Sequence, residues 1–338
     1  MSATKKRPAR RRTDRKRAQE AKRGVLVTGA TTPIGAALCE ELLRSDAVGQ
    51  VLAVGREASE EVETLPRHPR LSYRQVDLSK PRHAQALLFG EARDLEIEVV
   101  VHLSMHRSAV EEGRRIRALN VEALRSMLEL SERHPTIRRL VFRSYAEVYQ
   151  VALDLPTLVT EDHPLNLAPG APQWIRDRVE ADLTACARMG LSPLELVVLR
   201  CAEVLTANSG SQLFDYLSSP VCVRPMGYDP MMNVLSIPDA VDALVRAALA
   251  SGVQGVFNVP GADTLPLSAC IRKSGKLEVP LPGAVIPPLY RMRRRLTGAE
   301  FSYGMNRRRF HYASVLDGTH AREVLGYVPR HRIEWPPA

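Results

Sequence analysis

The feature that most constrains the fold is a strand, a glycine-containing turn and a helix that follow one another directly at residues 24–45. The apolar run GVLVTGA at 24–30 is typical of a buried strand, and IGAALCEELLRS at 34–45 repeats apolar residues at helical spacing. Between them lies TGATTPIG at 28–35, which has glycine at positions 29 and 35. This succession predicts the first βα unit of a parallel sheet covered by helices.

The turn has several of the residue types that let a backbone approach a diphosphate. Gly29 permits a tight turn, Gly35 permits close packing of strand and helix, and the helix start offers N–H groups and its dipole to an anion. Thr32 stands where a glycine would leave room for phosphate, and Pro33 lacks an N–H donor. The candidate phosphate-binding residues are Gly29, Thr31, Thr32, Pro33, Ile34 and Gly35. The turn alone leaves two interpretations open, dinucleotide binding and a turn that binds nothing.

Short apolar strands alternate with amphipathic helices over most of the chain. Further strands are predicted at 51–55, 71–78, 98–104, 138–144 and 194–200. The alternation breaks after residue 205 and resumes with a helix at 238–251 and a strand at 255–261. We predict an α/β fold with a doubly wound parallel sheet of the Rossmann type. Its predicted parts are a nucleotide-binding domain at 24–205 and a small substrate-side part at 206–338, from which residues 237–260 return to the Rossmann core.

The net charge is concentrated at the N-terminus. The chain has a formal net charge of +9, and residues 1–23 hold eleven Lys and Arg against two acids, which is eleven minus two or +9. Residues 24–338 are therefore formally neutral, so the folded part is not expected to be basic. We predict a disordered basic tail at 1–23, with three alternatives for its partner: nucleic acid, an anionic membrane surface, or none. The tail contains no aromatic residue, so base stacking is not indicated.

The cysteines and the lengths of the apolar runs indicate the cellular compartment. The five cysteines are scattered, without metal-ligand spacing, so we expect a reducing compartment and no bound metal. No apolar run reaches the roughly 18 residues of a spanning helix, and we expect a cytoplasmic protein, with peripheral membrane contact as an alternative. The stretch VIPPLYRMRRRL at 285–296 joins apolar residues to four arginines. Three interpretations fit it: a solvated helix face, a contact with phospholipid, or a site for the phosphates of a nucleotide-linked substrate.

The end of the second strand bears on the choice of dinucleotide. In dinucleotide-binding folds an acidic residue about 20 residues beyond the turn accepts a ribose hydroxyl of NAD. Here the strand ends in Gly55-Arg56, and neither residue is acidic. An arginine at this place pairs with the 2′-phosphate of NADP. The sequence therefore favours NADP over NAD, with a solvated surface arginine as the alternative.

Seven segments follow one another in the order of a known family's motifs. Besides TGATTPIG they are VDLS at 76–79, VVVHLSM at 99–105, LNVEAL at 119–124, LVFRSYAEVY at 140–149, VLRCAEVL at 198–205 and GVFNVPG at 255–261. They resemble the extended short-chain dehydrogenases/reductases, which are NAD-dependent nucleotide-sugar epimerases and dehydratases. The resemblance implies that Asp77 and Leu78 lie at the adenine and that Leu103 and Ser104 line the cofactor. It also implies NAD or NADP, a nucleotide-sugar-like ligand on the substrate side, and pairing of subunits as a homodimer.

The residues that carry the family's proton transfer are replaced. The family uses a tyrosine, a lysine four residues later and a serine or threonine after the fifth strand, and the resemblance places these at Trp174, Arg178 and Tyr145. An indole N–H does not exchange a proton at physiological pH, and a guanidinium does not titrate there. Neither Tyr149 nor Tyr216 has a lysine four residues later, so no register shift restores the pair.

Structural roles account for the two replacements without new chemistry. We interpret Trp174 as a packing aromatic and Arg178 as part of an exposed helical face, paired with Asp177, Glu180 or solvent. The favoured function is a catalytically degenerate NAD(P)-binding protein with a ligand-binding or regulatory role. One alternative is an active epimerase or oxidoreductase in which Tyr145 is the relocated acid/base. The other is an interaction module that uses the basic tail.

Overall fold

The computed structural model describes residues 22–337. The strands are β1 Arg23–Thr28, β2 Val48–Gly55, β3 Leu71–Gln75, β4 Ile97–His102, β5 Arg139–Tyr145, β6 Leu158–Val159, β7 Glu195–Cys201, β8 Glu203–Val204, β9 Val221–Pro225, β10 Met231–Leu235, β11 Gly255–Val259, β12 Asp263–Pro266, β13 Leu277–Leu281 and β14 Val315–Leu316. Seven of them form a parallel sheet in the order β3-β2-β1-β4-β5-β7-β11. This order confirms the predicted doubly wound α/β fold.

Eleven α-helices connect these strands within the described residues. They are α1 Pro33–Arg44, α2 Pro81–Leu87, α3 Arg114–Arg117, α4 Ala123–Glu132, α5 Gln173–Cys186, α6 Gln212–Leu217, α7 Ile237–Leu249, α8 Leu267–Lys273, α9 Ile286–Thr297, α10 Tyr303–Asn306 and α11 Thr319–Leu325. A π-helical turn at Leu88–Ala92 extends α2, and another at Ala118–Glu122 joins α3 to α4. None of the helices between residues 22 and 337 is long and apolar enough to cross a bilayer.

The parallel sheet has an apolar layer on each face, which explains why its strands are continuous apolar runs. On β1, Val25 and Val27 belong to one layer, whereas Leu26 belongs to the other. Alternate side chains of a strand point to opposite faces, so a strand covered on both sides must be apolar throughout. The strand order reverses direction between β1 and β4, and a crevice at the carboxyl ends of the strands is expected at this point.

The chain leaves the parallel sheet after β7 and returns to it with β11, which pairs with β7 in parallel. The residues between and after these strands build two smaller sheets, β8-β10-β12 and β9-β13, over a third apolar cluster. That cluster contains closely packed aromatic rings, among them Tyr216, Tyr290, Phe301 and Phe310. This smaller part lies beyond the carboxyl ends of β5 and β7 and so borders the crevice.

The predicted tail at 1–23 lies outside the described residues except for its last two. Arg23 is the first residue of β1, and its guanidinium donates to the carbonyl of Leu249 at 2.9 Å and to Ser251 Oγ at 2.8 Å. One of the eleven basic residues counted with the tail therefore belongs to the fold, where it holds the end of α7 against the sheet.

Candidate functional site

The turn between β1 and α1 is built around its two glycines. Gly29 has φ of +67°, a conformation that side chains rarely adopt, and a Cβ there would lie 3.2 Å from the backbone of Leu103 and Ser104. A Cβ on Gly35 would lie 2.2 Å from the carbonyl oxygen of Gly29. Larger residues at either position would push the turn away from the strand, so both glycines are needed for its geometry.

Thr32 and Pro33 occupy the helix start themselves. Thr32 Oγ1 donates to the Gly29 carbonyl at 2.7 Å and accepts from the Gly35 N–H at 3.1 Å, so it caps α1. Pro33 has no N–H to offer. Of the first-turn amides between residues 33 and 35, only that of Ile34 is left for an anion. The turn therefore offers a diphosphate fewer donors than a glycine-rich turn does.

A cleft of about 500 Å³ opens over this turn. It brings together six of the residues predicted for the cofactor, which are Gly29, Thr31, Thr32, Arg56, Leu78 and Ser104. Pro33, Ile34 and Leu103 line a smaller adjoining cavity instead. Gly35 and Asp77 line neither space. Asp77 accepts hydrogen bonds from Ser79 N at 3.2 Å and from Ser79 Oγ at 2.6 Å, which fix the loop that carries Leu78.

Glu57 is a cleft residue that the sequence reasoning missed. Its carboxylate lies in the cleft wall, where it accepts hydrogen bonds from Thr31 Oγ1 at 2.7 Å and from the Arg56 N–H at 3.0 Å. Partial burial acts to raise the pKa of Glu57, but the Thr31 and backbone hydrogen bonds outweigh it and lower the pKa. A fixed, ionised carboxylate thus follows β2, one residue after Gly55-Arg56, where the sequence predicted no acidic residue.

Residues 105–113 cross the side of the cleft and are held by side chains from several elements. Asn120 accepts from the His106 N–H at 2.7 Å and donates to Asp177 on α5 at 3.0 Å. Arg107 donates to the Asn208 carbonyl at 3.4 Å, and Ser108 donates to Glu300 at 2.6 Å. This segment separates the large cleft from the region of Tyr145.

Arg178 lies between two aromatic rings. Its guanidinium carbon is 3.7 Å from the centroid of the Tyr145 ring and 3.5 Å from that of the Trp174 ring, and its side chain is 2% exposed. The guanidinium of Arg143 lies 4.5 Å from the same Tyr145 ring. The expectation that Arg178 lies on an exposed helical face is wrong, because one helical turn places it beside Trp174 on the buried side of α5.

The charge of Arg178 is balanced by Glu147, which follows β5. The Nη1 and Oε2 atoms of this ion pair are 3.4 Å apart, without hydrogen-bond geometry. Burial lowers the pKa of Arg178, and the charge of Glu147 opposes this shift. The expected partners are occupied elsewhere, since Asp177 bonds with Asn120 and Glu180 pairs with Arg117.

The buried charges continue into the smaller part of the chain. Arg309 lies 3.8 Å from Glu147 and 2.6 Å from Glu203, which also accepts from the Leu213 N–H at 2.6 Å. Burial acts to raise the pKa of Glu203, but Arg309 and the hydrogen-bond donors outweigh it and lower the pKa. Arg143, Arg178 and Arg309 lie near the carboxylates of Glu147 and Glu203, so these five side chains together carry an excess of one positive charge.

Little space remains around these side chains. The cavity lined by Tyr145, Arg143, Pro33 and Ile34 measures about 20 Å³, enough for about one water molecule. A second cavity, between Glu147, Glu203, Arg309 and β10, measures about 30 Å³. The open part of the cleft therefore ends before Tyr145, and the cavity beside that phenol has room for about one water molecule in this conformation.

Helix α5 is fixed to the sheet by a second buried ion pair. Arg200 on β7 donates to both oxygens of Asp182 at 3.1 and 2.7 Å, and Ser144 on β5 donates to Asp182 at 2.5 Å. Asp182 lies one helical turn after Arg178, so these bonds also fix the height of Arg178 and Trp174 over the sheet. The aromatic stack is therefore rigidly positioned.

Comparison with known proteins agrees with this architecture. The sequence model of the NAD-dependent epimerase/dehydratase family matches residues 25–216, which is more than half of the chain. The chain belongs to this family. An uncharacterised protein of Mycobacterium tuberculosis is 31% identical to it over 313 residues, which cover 90% of this chain and 80% of the relative. The name of this relative states no activity.

Solved structures with the same fold include family enzymes. dTDP-glucose 4,6-dehydratase from Bacillus anthracis, in complex with NAD, has a TM-score of 0.68 at 17% identity and covers 91% of this chain and 92% of its own. UDP-glucose 4-epimerase from Thermotoga maritima, with UDP-glucose, has a TM-score of 0.67 at 18% identity, covering 91% and 94%. UDP-glucuronic acid 4-epimerase from Bacillus cereus, with UDP-glucuronic acid and NAD, has a TM-score of 0.67 at 17% identity, covering 91% and 95%. At these identities the likeness concerns the fold.

Proposed function

We propose that this family member binds NAD through the adenosine diphosphate half and does not carry out the proton and hydride transfers of the family's enzymes. The single observation that carries the proposal is the contrast between the two ends of the site. The cleft over the β1–α1 turn has about 500 Å³, whereas the cavity beside Tyr145 has about 20 Å³. The role is then ligand binding or regulation rather than turnover.

The walls of the cleft suit an adenosine diphosphate. Leu78 and Leu119 offer apolar surface to the adenine, and the turn residues Gly29, Thr31 and Thr32 line the cleft at the start of α1, where the helix dipole favours the diphosphate. Glu57 is placed to accept the ribose hydroxyls. Its fixed carboxylate would repel a 2′-phosphate, while the Arg56 side chain is exposed on the cleft rim. We therefore place NAD before NADP, and the solved structures of similar fold that carry NAD support this choice.

The absence of turnover follows from the side chains around Arg178. Trp174 cannot exchange a proton at physiological pH, and a buried guanidinium stacked between two rings does not titrate there. Tyr145 is the phenol at this end of the site, but the cavity beside it excludes a nicotinamide ring. Loss of a positioned general acid/base commonly costs about 10²–10⁴-fold in rate.

Calorimetry with the full chain tests the proposal by comparing the binding of whole dinucleotides with that of each half of NAD. NAD, NADP, ADP-ribose and nicotinamide mononucleotide are titrated separately. We expect NAD and ADP-ribose to bind with affinities within about threefold of each other, because the nicotinamide adds no contact, and nicotinamide mononucleotide not to bind. Glu57→Gln should weaken NAD by roughly tenfold, as for one charge-assisted hydrogen bond. Glu60→Gln, a change of the same kind at an exposed site three residues away, should leave affinity unchanged.

Three results would overturn the proposal. Tighter binding of NAD than of ADP-ribose by a hundredfold would show that the nicotinamide end has a site. Absence of binding by every dinucleotide at millimolar concentration would make the cleft unrelated to nucleotides. Cofactor reduction or sugar epimerisation by the purified protein, abolished by Tyr145→Phe, would establish the alternative of an active enzyme with a relocated acid/base.

A further inference from the structure

Helix α9 in the smaller part of the chain has an exposed apolar stripe whose residues belong to none of the three apolar clusters of the described fold. Its inner side buries Ile286 and Tyr290 in the third apolar cluster. At about 100° per residue, Met292 and Leu296 fall on a different stripe of the same helix, in line with Val285, which directly precedes the helix. The side chains of Val285, Met292 and Leu296 are 48%, 57% and 77% exposed. Two faces of α9 are thus apolar, and only one of them is used by the fold.

Arginines border this stripe on both sides. Arg291 and Arg295 project beyond one edge and are exposed, and Arg293 lies at the other edge. Helix α9 holds four arginines and no acidic residue, so it carries a formal charge of +4 within twelve residues. Among residues 22–337, no carboxylate forms an ion pair with Arg291 or Arg295. The charge is therefore available to an external anionic surface.

The two-stranded sheet β9-β13 lies next to α9 and also has exposed apolar residues. Arg293 donates to the Val221 carbonyl on β9 at 3.4 Å and to Ser219. Val221 is paired in register with Leu277 on β13, and both side chains are exposed, Leu277 by 62%. Two further exposed apolar residues, one on β9 and one on β13, therefore lie near α9 through the contact of Arg293 with Val221.

We infer that this surface, formed by α9 with Val221 and Leu277, docks the protein on a bilayer that contains anionic phospholipids. An amphipathic helix of this kind lies in the interface plane, with its apolar side chains among the acyl chains and its arginines at the headgroups. Nucleic acid fits less well, because the exposed stripe has no aromatic ring for stacking and its apolar residues gain nothing from phosphate. A second copy of the chain fits less well too, because two helices of charge +4 repel each other.

Vesicle flotation of the full chain tests this inference with two kinds of variant. Vesicles contain phosphatidylcholine alone or with phosphatidylglycerol, and binding is expected only to the anionic ones. Arg291→Gln with Arg295→Gln should lower the partition coefficient by roughly 30-fold, about fivefold for each arginine. Met292→Ser with Leu296→Ser should lower it by roughly tenfold or more, since the inserted apolar area is lost. The basic segment at the N-terminus is unchanged in both, so neither loss can come from it.

Matched substitutions elsewhere and a depth reporter complete the test. One control variant, Arg82→Gln with Arg133→Gln, removes two exposed arginines, and the other, Leu191→Ser, removes a leucine that is 77% exposed. Each control variant should bind vesicles as the parent protein does. In Leu296→Trp the added indole should shift its emission to the blue on anionic vesicles, whereas Leu191→Trp should not. Unchanged vesicle binding of the Met292/Leu296 variant, or an unshifted emission of Leu296→Trp, would overturn the inference. Loss of duplex DNA binding by the Arg291/Arg295 variant, with its vesicle binding retained, would also overturn it.

Discussion

Replacement of Glu147 by glutamine tests whether Arg178 is held in place by a charge rather than by packing alone. The interior around Tyr145 holds three arginines and two glutamates, an excess of one positive charge. Glu147→Gln raises this excess to two and leaves the buried guanidinium of Arg178 without an anion. Removal of one member of a buried pair costs about 3–5 kcal/mol. The effect should be as large here because the two side chains are 2% and 4% exposed.

A second substitution separates the charge from the contact. Glu147→Gln with Arg178→Met returns the excess to one and puts an unbranched apolar side chain between the two rings. Apolar replacement of a buried pair is often neutral or stabilising, so the double variant should unfold within about 1 kcal/mol of the parent. The assay is urea unfolding followed by the fluorescence of the two tryptophans, Trp174 and Trp335, with a midpoint shift of about 1 M for the single variant. Asp242→Asn, in the half-exposed pair with Arg246, should cost less than about 1 kcal/mol. A single variant as stable as this control, or a double variant no better than the single, would refute the reasoning.

Three further predictions concern the same fold. Trp174→Tyr with Arg178→Lys puts a tyrosine and a lysine where the sequence resemblance predicts the family's pair. This variant should neither open the 20 Å³ cavity nor produce epimerase activity, and turnover of a UDP-sugar by it would contradict that. Burial lowers the pKa of His102 to about 4, so its contribution to stability is complete above pH 6.5 and is lost as pH falls towards 4. In His102→Gln the unfolding free energy should therefore fall by about 3 kcal/mol less between pH 6.5 and pH 4 than in the parent protein. An unchanged pH dependence would show that the lowered pKa does not belong to His102. Burial and two neighbouring glutamates raise the pKa of Asp215 to about 6, so its contribution is present below pH 4 and lost as pH rises through 6. Asp215→Asn should stabilise the protein at pH 7.5 by about 1–2 kcal/mol, with little effect at pH 3.5, and a loss of stability at pH 7.5 would count against the shift.

The strands and helices of the large sheet were predictable because their signals are local. An apolar run such as 98–104 can satisfy its backbone and bury both faces only inside a covered parallel sheet. The glycines of the first turn are local as well, since Gly29 needs a positive φ and Gly35 has no room for a Cβ. Seven short segments in one order were enough to indicate the family, and the family match confirms it.

The cleft was predicted only in part, and the reason is geometric. Arg56 and Glu57 are neighbours in sequence and both line the cleft, but which side chain is fixed in the cleft wall depends on how the chain bends after β2. The hydrogen bond from Thr31 decides it, by fixing Glu57 in the cleft wall. A strand that ends in glycine gives no sign of that bend. Because of Glu57, which the sequence did not indicate, we propose NAD and not NADP as the dinucleotide.

The amino-acid sequence by itself determined the sheet, the turn and the absence of a tyrosine–lysine pair at 174 and 178, because each of these depends on residues close together in the chain. Only the tertiary structure decided which charges surround Arg178. Arg178 is held by Glu147 and, beyond it, by Arg309 and Glu203, which come from distant segments. A buried charge takes whichever opposite charge the fold brings within reach, and spacing along the chain does not show which one that is.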